Sequence, residues 1–169
     1  MSAKRTLTHV DATGKAAMVD VAAKPESQRV ATAAAHVWLS APTLALVRAG
    51  KTKKGDVISI ARIAAIMAAK RTHELIPLCH PLRLTEVKVE CAIEADGITI
   101  EATVRAFDRT GVEMEALTAA SVAALTIYDM VKSVERNARF LVWPVSKDGG
   151  RGGAWRGDAP HEFARRKRR

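Results

Sequence analysis

The chain is poor in aromatic residues and in cysteine. Phe, Trp and Tyr make up 4% of its 169 residues. The core must therefore be built from small aliphatic side chains, which let elements approach closely and also suit a subunit interface. Two cysteines, Cys79 and Cys91, exclude a disulfide framework and make a reducing cytoplasm the expected compartment. No run of eighteen or more apolar residues occurs, so no transmembrane helix is expected. The opening MSAKRTLTHVDATGK lacks the apolar stretch of a secretory signal. There is no dinucleotide fingerprint, no P-loop spacing, no cysteine cluster for iron–sulfur and no repeat of domain-array length.

What the chain does have is positive charge, +9 in all. Five of these charges sit in the last five residues, Arg165–Arg169, leaving about +4 on the body. The tail suits a solvated arm in contact with a polyanion. The body's milder excess suits an anionic small molecule equally well.

Residues 1–28 have no helical period and read as an extended arm. A strand is predicted at Ala31–Leu39. Its alanines favour helix, but the run His36-Val37-Trp38-Leu39 and the break at Pro42 favour strand. Thr43–Ala49 reads as a short helix closed by Gly50. The basic turn Lys51–Gly55 leads to Asp56, placed as the N-cap of a helix Val57–Lys70. LIPLCHP, Leu75–Pro81, holds Pro77 and Pro81 and cannot be a regular helix. Leu84–Cys91 and Ile98–Phe107 alternate apolar and polar residues about an Asp96-Gly97 turn, as a hairpin does. Thr110–Glu135 is the longest predicted helix, and Phe140–Val145 is a last strand interrupted by Pro144. From Lys147 a flexible Gly-rich loop and a disordered basic tail are expected, giving an arm (1–28), a folded domain (29–146) and a tail (147–169). The order predicts an α+β fold, the ferredoxin-like βαββαβ arrangement: an antiparallel sheet with helices on one face.

Several groups offer chemistry. Thr110-Gly111-Val112-Glu113 fits a capping box, the plainer reading of Glu113 from pattern alone. Asp129 and Lys132, three apart on a helix flank, read either as a surface ion pair or as an acid–base couple beside an apolar wall. In the second case burial would tune both towards neutrality. Glu115 and Asp129 stand about 21 Å apart on a straight helix. If both act on one small molecule, two subunits must each supply one end. His80, fixed between Cys79 and Pro81, is a candidate acid, base or phosphate partner, or else a histidine packed beneath a turn. His73, Cys79, His80 and Cys91 match no structural zinc spacing. Lys51, Lys53 and Lys54 precede a helix N-terminus, where an anion can bind. Arg29, Lys70, Arg71, Lys147 and Arg151 are further phosphate candidates.

GVEMEALTAASVAALTIYDMVK (Gly111–Lys132), LTHVDATGKAAMVDV near the start and KGDVISIARIAAIMAAKRTHELIPLCHPL between them closely resemble the cyclic pyranopterin monophosphate synthase family. The resemblance runs from about Leu7 to Gly153. It implies a ferredoxin-like subunit in a homohexamer, a trimer of dimers with sites at dimer interfaces, in the cytoplasm. It also implies a lyase of molybdenum cofactor biosynthesis, converting a 3′,8-cyclised dihydro-GTP to cyclic pyranopterin monophosphate and diphosphate. No cofactor is required by the resemblance; magnesium on the triphosphate is compatible with it, and no metal site is expected in the protein. Carried over by position, Asp129, Lys132, Lys54, His80, Glu113 and Glu115 are the implied catalytic residues. Substrate contacts fall on Leu78, Cys79, His80, Met114 and Glu115, and a phosphate contact falls on Arg29. The chain departs from the family pattern at His73, Ala22, the loop Gly150-Arg151-Gly152-Gly153 and the tail beyond Trp155.

The charge supports a rival reading, a basic nucleic-acid-binding module, against which the scarcity of aromatics and of recognition motifs speaks. Deleting Arg165–Arg169 separates the two. An enzyme keeps its turnover, whereas a nucleic-acid binder loses a strongly salt-dependent affinity in a binding titration.

Overall fold

The computed structural model describes residues 14–150 and 152–164. Its elements run β1 (Ser27–Trp38), α1 (Ala41–Arg48), α2 (Val57–Ala69), α3 (Thr72–Leu75), β2 (Leu84–Ile93), β3 (Gly97–Asp108), α4 (Glu113–Val131), β4 (Arg139–Asp148), β5 (Trp155–Arg156) and α5 (His161–Ala164). The strands form one antiparallel sheet in the order β2-β3-β1-β4-β5. The first four strands, with α2 and α4, make up the expected α+β, ferredoxin-like βαββαβ arrangement, and β5 adds a short edge strand beside β4.

Alternation along the strands decides which face meets the helices. Ala31, Ala33, Ala35 and Val37 of β1 and Ile98, Ile100, Ala102 and Val104 of β3 point into one core. The helices answer with alanines: Ala61, Ala65 and Ala69 on α2, and Ala116, Ala120 and Ala124 on α4, at four-residue spacing and almost fully buried. Such ridges lack bulk, so α2 and α4 lie close to each other and to the sheet. The volume is filled by Leu44, Ile98, Ile100, Ile127 and Val104. By length and composition α4 is apolar enough to cross a membrane, but more than half of that stretch is buried inside the subunit, as in a core helix.

Local signals explain most boundaries. Asp56 caps α2, accepting the Ser59 amide at 3.0 Å. Pro42 sits in the first turn of α1, where its missing N–H costs nothing. Several expectations are corrected. β4 is interrupted at Pro144 as expected, but it runs beyond Val145 to Asp148. Thr32 faces Ser146 while Ala33 faces Pro144, so the proline lies at a bulge where the ladder is already broken. The helix α4 is shorter than expected, and no capping box forms: its N-cap is Val112, with no side-chain cap. α3, β5 and α5 were not expected. In α5, Phe163 packs across the sheet's other face on Trp143 and His36, with ring centroids 5.0 and 5.4 Å away. Short elements thus occupy part of the stretch from Lys147 to Ala164 that composition marks as a loop and tail. Arg165–Arg169 lie outside the described residues, as does Arg151.

The alanine stripe carries a stability prediction. Ala120→Leu should lower unfolding free energy by about 1–3 kcal/mol, because a leucine there must push α4 off the sheet. Urea titration at fixed protein concentration measures it.

Candidate active site

The two ends of α4 carry two separate groups of polar side chains. At its N-terminal end lies a cleft of about 510 Å³. One wall is the irregular segment after α3, contributing Ile76, Leu78, Cys79 and His80. This segment cannot be helical because of its prolines. A second wall is the start of α4, with Glu113, Met114 and Glu115, and a third is the segment before β1, with Val19, Val21 and Lys24. The structure therefore brings together Leu78, Cys79, His80, Glu113, Met114 and Glu115, which the sequence pattern had picked out on two segments.

The carboxylates here sit in unlike surroundings. Glu115 is 4% exposed. Burial raises its pKa from 4.5 to about 7, opposed by a backbone hydrogen bond and reinforced by the nearby Glu113 charge. Glu113 is half-buried, with the Lys147 ammonium 4.0 Å from its Oε1. Gly111 leaves the space into which Glu113 folds; a Cβ there would overlap the carboxylate. Burial and Glu115 both push the Cys79 thiol up, so it stays protonated and is a lining group rather than a nucleophile.

Beside this cleft is a second hollow of about 380 Å³, lined by Lys24, Pro25, Ser27, Arg29, Arg109 and Gly150. Lys24 lines both. Arg29 is almost wholly buried and donates from Nε to the Asp108 carbonyl at 3.2 Å and from Nη2 to the Arg109 carbonyl at 3.3 Å. Gly150, at φ +75°, passes directly over its guanidinium, where any Cβ would overlap Nη1. Sequence reasoning found Arg29 but missed Lys24 and Arg109. Lone basic residues in loops carry no pattern, and only the fold gathers them. Lys70 and Arg71 line neither hollow.

At the other end of α4, Asp129 lies between two ammonium groups. Lys132 Nζ is 2.6 Å from Oδ1. Lys54, from the basic turn before α2, donates at 2.5 Å to Oδ2 and at 2.8 Å to the Asp129 carbonyl. The turn is held in place by the Thr52 hydroxyl on the Gly55 carbonyl and by the packing of α2 on α4. Hydrogen bonds from Lys132 first and Lys54 second hold Asp129 down to about 2, and Asp129 raises Lys132. All three side chains are about half exposed. Among the described residues no apolar wall covers Asp129 and Lys132, and pairing drives both away from the expected tuning towards neutrality.

The Glu115 shift has a stability consequence. Its pKa is raised on folding, so its favourable contribution is complete below about 4.5 and is lost as pH rises through about 7. Relative to the parent, Glu115→Gln should gain about 2–3 kcal/mol between pH 5 and pH 8. Urea unfolding at both pH values tests this, and an unchanged difference would contradict the raised pKa.

Comparison with known proteins places this geometry. Residues 18–150 match the MoaC family. A cyclic pyranopterin monophosphate synthase of Thermomicrobium roseum is 56% identical over 153 residues, covering 89% of this chain and 92% of its own. The proteins of that name from a Methylobacterium species and from Cereibacter sphaeroides are 54% and 53% identical over 156 residues, each match covering 90% of this chain and 98% of theirs. The cleft residues from Leu78 to Glu115 and the Lys54–Asp129–Lys132 cluster all fall inside the matched span, and the chain belongs to the MoaC family.

Proposed function

We propose that the chain is a cyclic pyranopterin monophosphate synthase, a lyase of molybdenum cofactor biosynthesis. It rearranges a 3′,8-cyclised dihydro-GTP and releases diphosphate; the chemistry needs proton transfer and charge neutralisation rather than a redox cofactor, and it is compatible with magnesium on the triphosphate. The observation that carries the reading is the shared wall at Lys24. On one side is an acid-lined cleft that fits a reacting heterocycle. On the other is a cationic hollow that fits its phosphates. Glu115 holds a proton up to about pH 7 and can give it up within the cleft. His80 and Glu113 lie within reach of the same bound molecule. Lys24, Arg29 and Arg109 neutralise the phosphates as diphosphate leaves.

The Lys54–Asp129–Lys132 cluster belongs to the same chemistry but not to the same end of the subunit. Fourteen residues of helix separate Glu115 from Asp129, about 21 Å. The reading therefore includes a homohexamer, a trimer of dimers in the cytoplasm, in which one chain supplies the cleft and its neighbour supplies the cluster. Exposed apolar side chains support this. Ile60, Ile63 and Met67 share one face of α2, and Leu125 stands out from α4; Ile63 is 59% exposed and Leu125 51%. Covering the cluster with a second subunit desolvates it, which raises the carboxyl, lowers the amines and brings both towards proton transfer.

The reading is tested by supplying the cyclised dihydro-GTP and measuring diphosphate release. Asp129→Asn should reduce turnover by about 100-fold or more; equal turnover sinks its catalytic role. Lys54 and Asp129 are in contact, so variants of these two fall in the same half and cannot complement each other. Inactive Asp129→Asn mixed with inactive Glu115→Gln should instead recover about a quarter of parental activity after random subunit exchange. No recovery after verified exchange counts against sites built from two chains.

A further inference from the structure

The segment before β1 forms a wall of the cleft through Val19, Val21 and Lys24. Apart from an isolated bridge at Ala16, residues 14–26 belong to no strand or helix that would hold them there. Side-chain contacts from Arg109, which also lines the cationic hollow, and from Arg83, which lines neither hollow, fasten them at Ala22 and Glu26. Arg109 donates from Nη1 to the Ala22 carbonyl at 2.7 Å, and its Nε lies 3.9 Å from Glu26 Oε1. Arg83 reaches the same Glu26 oxygen from Nη2 at 3.0 Å. Asp108 ties the two arginines together, its Oδ1 accepting the Arg109 amide at 2.8 Å and its Oδ2 the Arg83 amide at 3.3 Å. The strap is therefore pinned both to the turn that leads into α4 and to the segment that leads into β2.

We propose that Glu26, Arg83 and Arg109 form a clasp, and that Glu26 and Arg83 are positioning residues that hold the Val19–Lys24 wall against the cleft. The inference rests on the function proposed above for its effect on turnover, though not for its effect on the strap. Each ion pair is partly exposed and weak alone. Two arginines converging on one carboxylate oxygen, with a backbone carbonyl taken by one of them, fix a direction as well as a distance. The clasp also settles where Lys24 stands. A single residue separates Lys24 from Ala22 and a single residue separates it from Glu26, so holding both neighbours places the backbone of Lys24 at the boundary of the cleft and the hollow.

Glu26 allows a test by sign. It is an anion at the rim of a cationic hollow. If it acted only through its field, neutralising it would tighten binding of a triphosphate and lower KM. If it closes the clasp, neutralising it loosens the wall and raises KM. Glu26→Gln is expected to raise KM about three- to fivefold while leaving kcat within about twofold. Arg83→Met, which keeps the apolar stem but loses the charge, should shift KM in the same direction, and Arg83→Lys should restore part of it. In the substrate-free protein, backbone amides of residues 19–24 should exchange faster in Glu26→Gln than in the parent. A lowered KM, or unchanged exchange over 19–24, overturns the clasp. If the parent releases no diphosphate, the functional reading fails instead, and the exchange comparison alone decides the clasp.

Discussion

A single rigid helix packed on a sheet through alanines sets the terms for everything else in this subunit. Because its buried alanines, Ala116, Ala120 and Ala124 among them, let α4 pack closely on α2, β1 and β3, the helix cannot bend or slide to bring its ends together. Its two ends then carry groups of opposite character. The N-terminal end faces a cleft in which a carboxyl is buried and kept neutral up to about pH 7. The C-terminal end presents a carboxylate in water between two lysines, held at about 2. One helix thus holds a proton donor and a charge cluster at a separation no single small substrate bridges.

Solvent decides what each end can do. At the cleft, desolvation outweighs the other influences on Glu115 and leaves a carboxyl poised for proton transfer at neutral pH. At the cluster, pairing outweighs a small desolvation, and the groups are locked in their charged forms. A locked ion pair is a poor acid and a poor base. The two ends become chemically comparable only when the second is also taken out of water. On the proposed function the cluster requires a covering surface, and the exposed apolar residues of α2 lie on the helix whose leading turn supplies Lys54.

Much of this was legible in the sequence, and the reasons differ from element to element. Alternation placed β2 and β3, and Asp56 placed the start of α2, because period and capping are local properties. The Leu75–Pro81 segment was legible as irregular because two prolines forbid helix. Pattern alone favours a capping box at Thr110–Glu113, which the family resemblance sets aside and which does not form. Its residues fit the pattern, yet they line the cleft, and local pattern cannot distinguish an amide partner from a ligand partner. Pro144 was legible as an interruption of the last strand, but the strand's resumption to Asp148 was not, because it depends on a slip in register against β1 that removes the need for the proline's N–H. The ordered part of the C-terminal region escaped because Phe163 is anchored by His36 and Trp143, more than a hundred and about twenty residues away. The apolar wall expected beside Asp129 is missing because helical period reports which side of a helix is wet, and whether a second molecule dries it depends on assembly.

The cationic hollow shows why residue type alone underdetermines function. Arg29 looks like a phosphate ligand by charge, yet two of its nitrogens are committed to the carbonyls of Asp108 and Arg109. A guanidinium so engaged still contributes its positive charge, but it cannot turn to follow a leaving group. It acts as a fixed field and as a strut beneath the turn that delivers Glu113 and Glu115. Lys24 is different: an ammonium on a strap, at the boundary between the cleft and the hollow. Charge that must stay put is carried by a buried arginine roofed by glycine. On the proposed function, the charge between cleft and hollow falls to a lysine, and where it stands depends on the strap being held through Ala22 and Glu26.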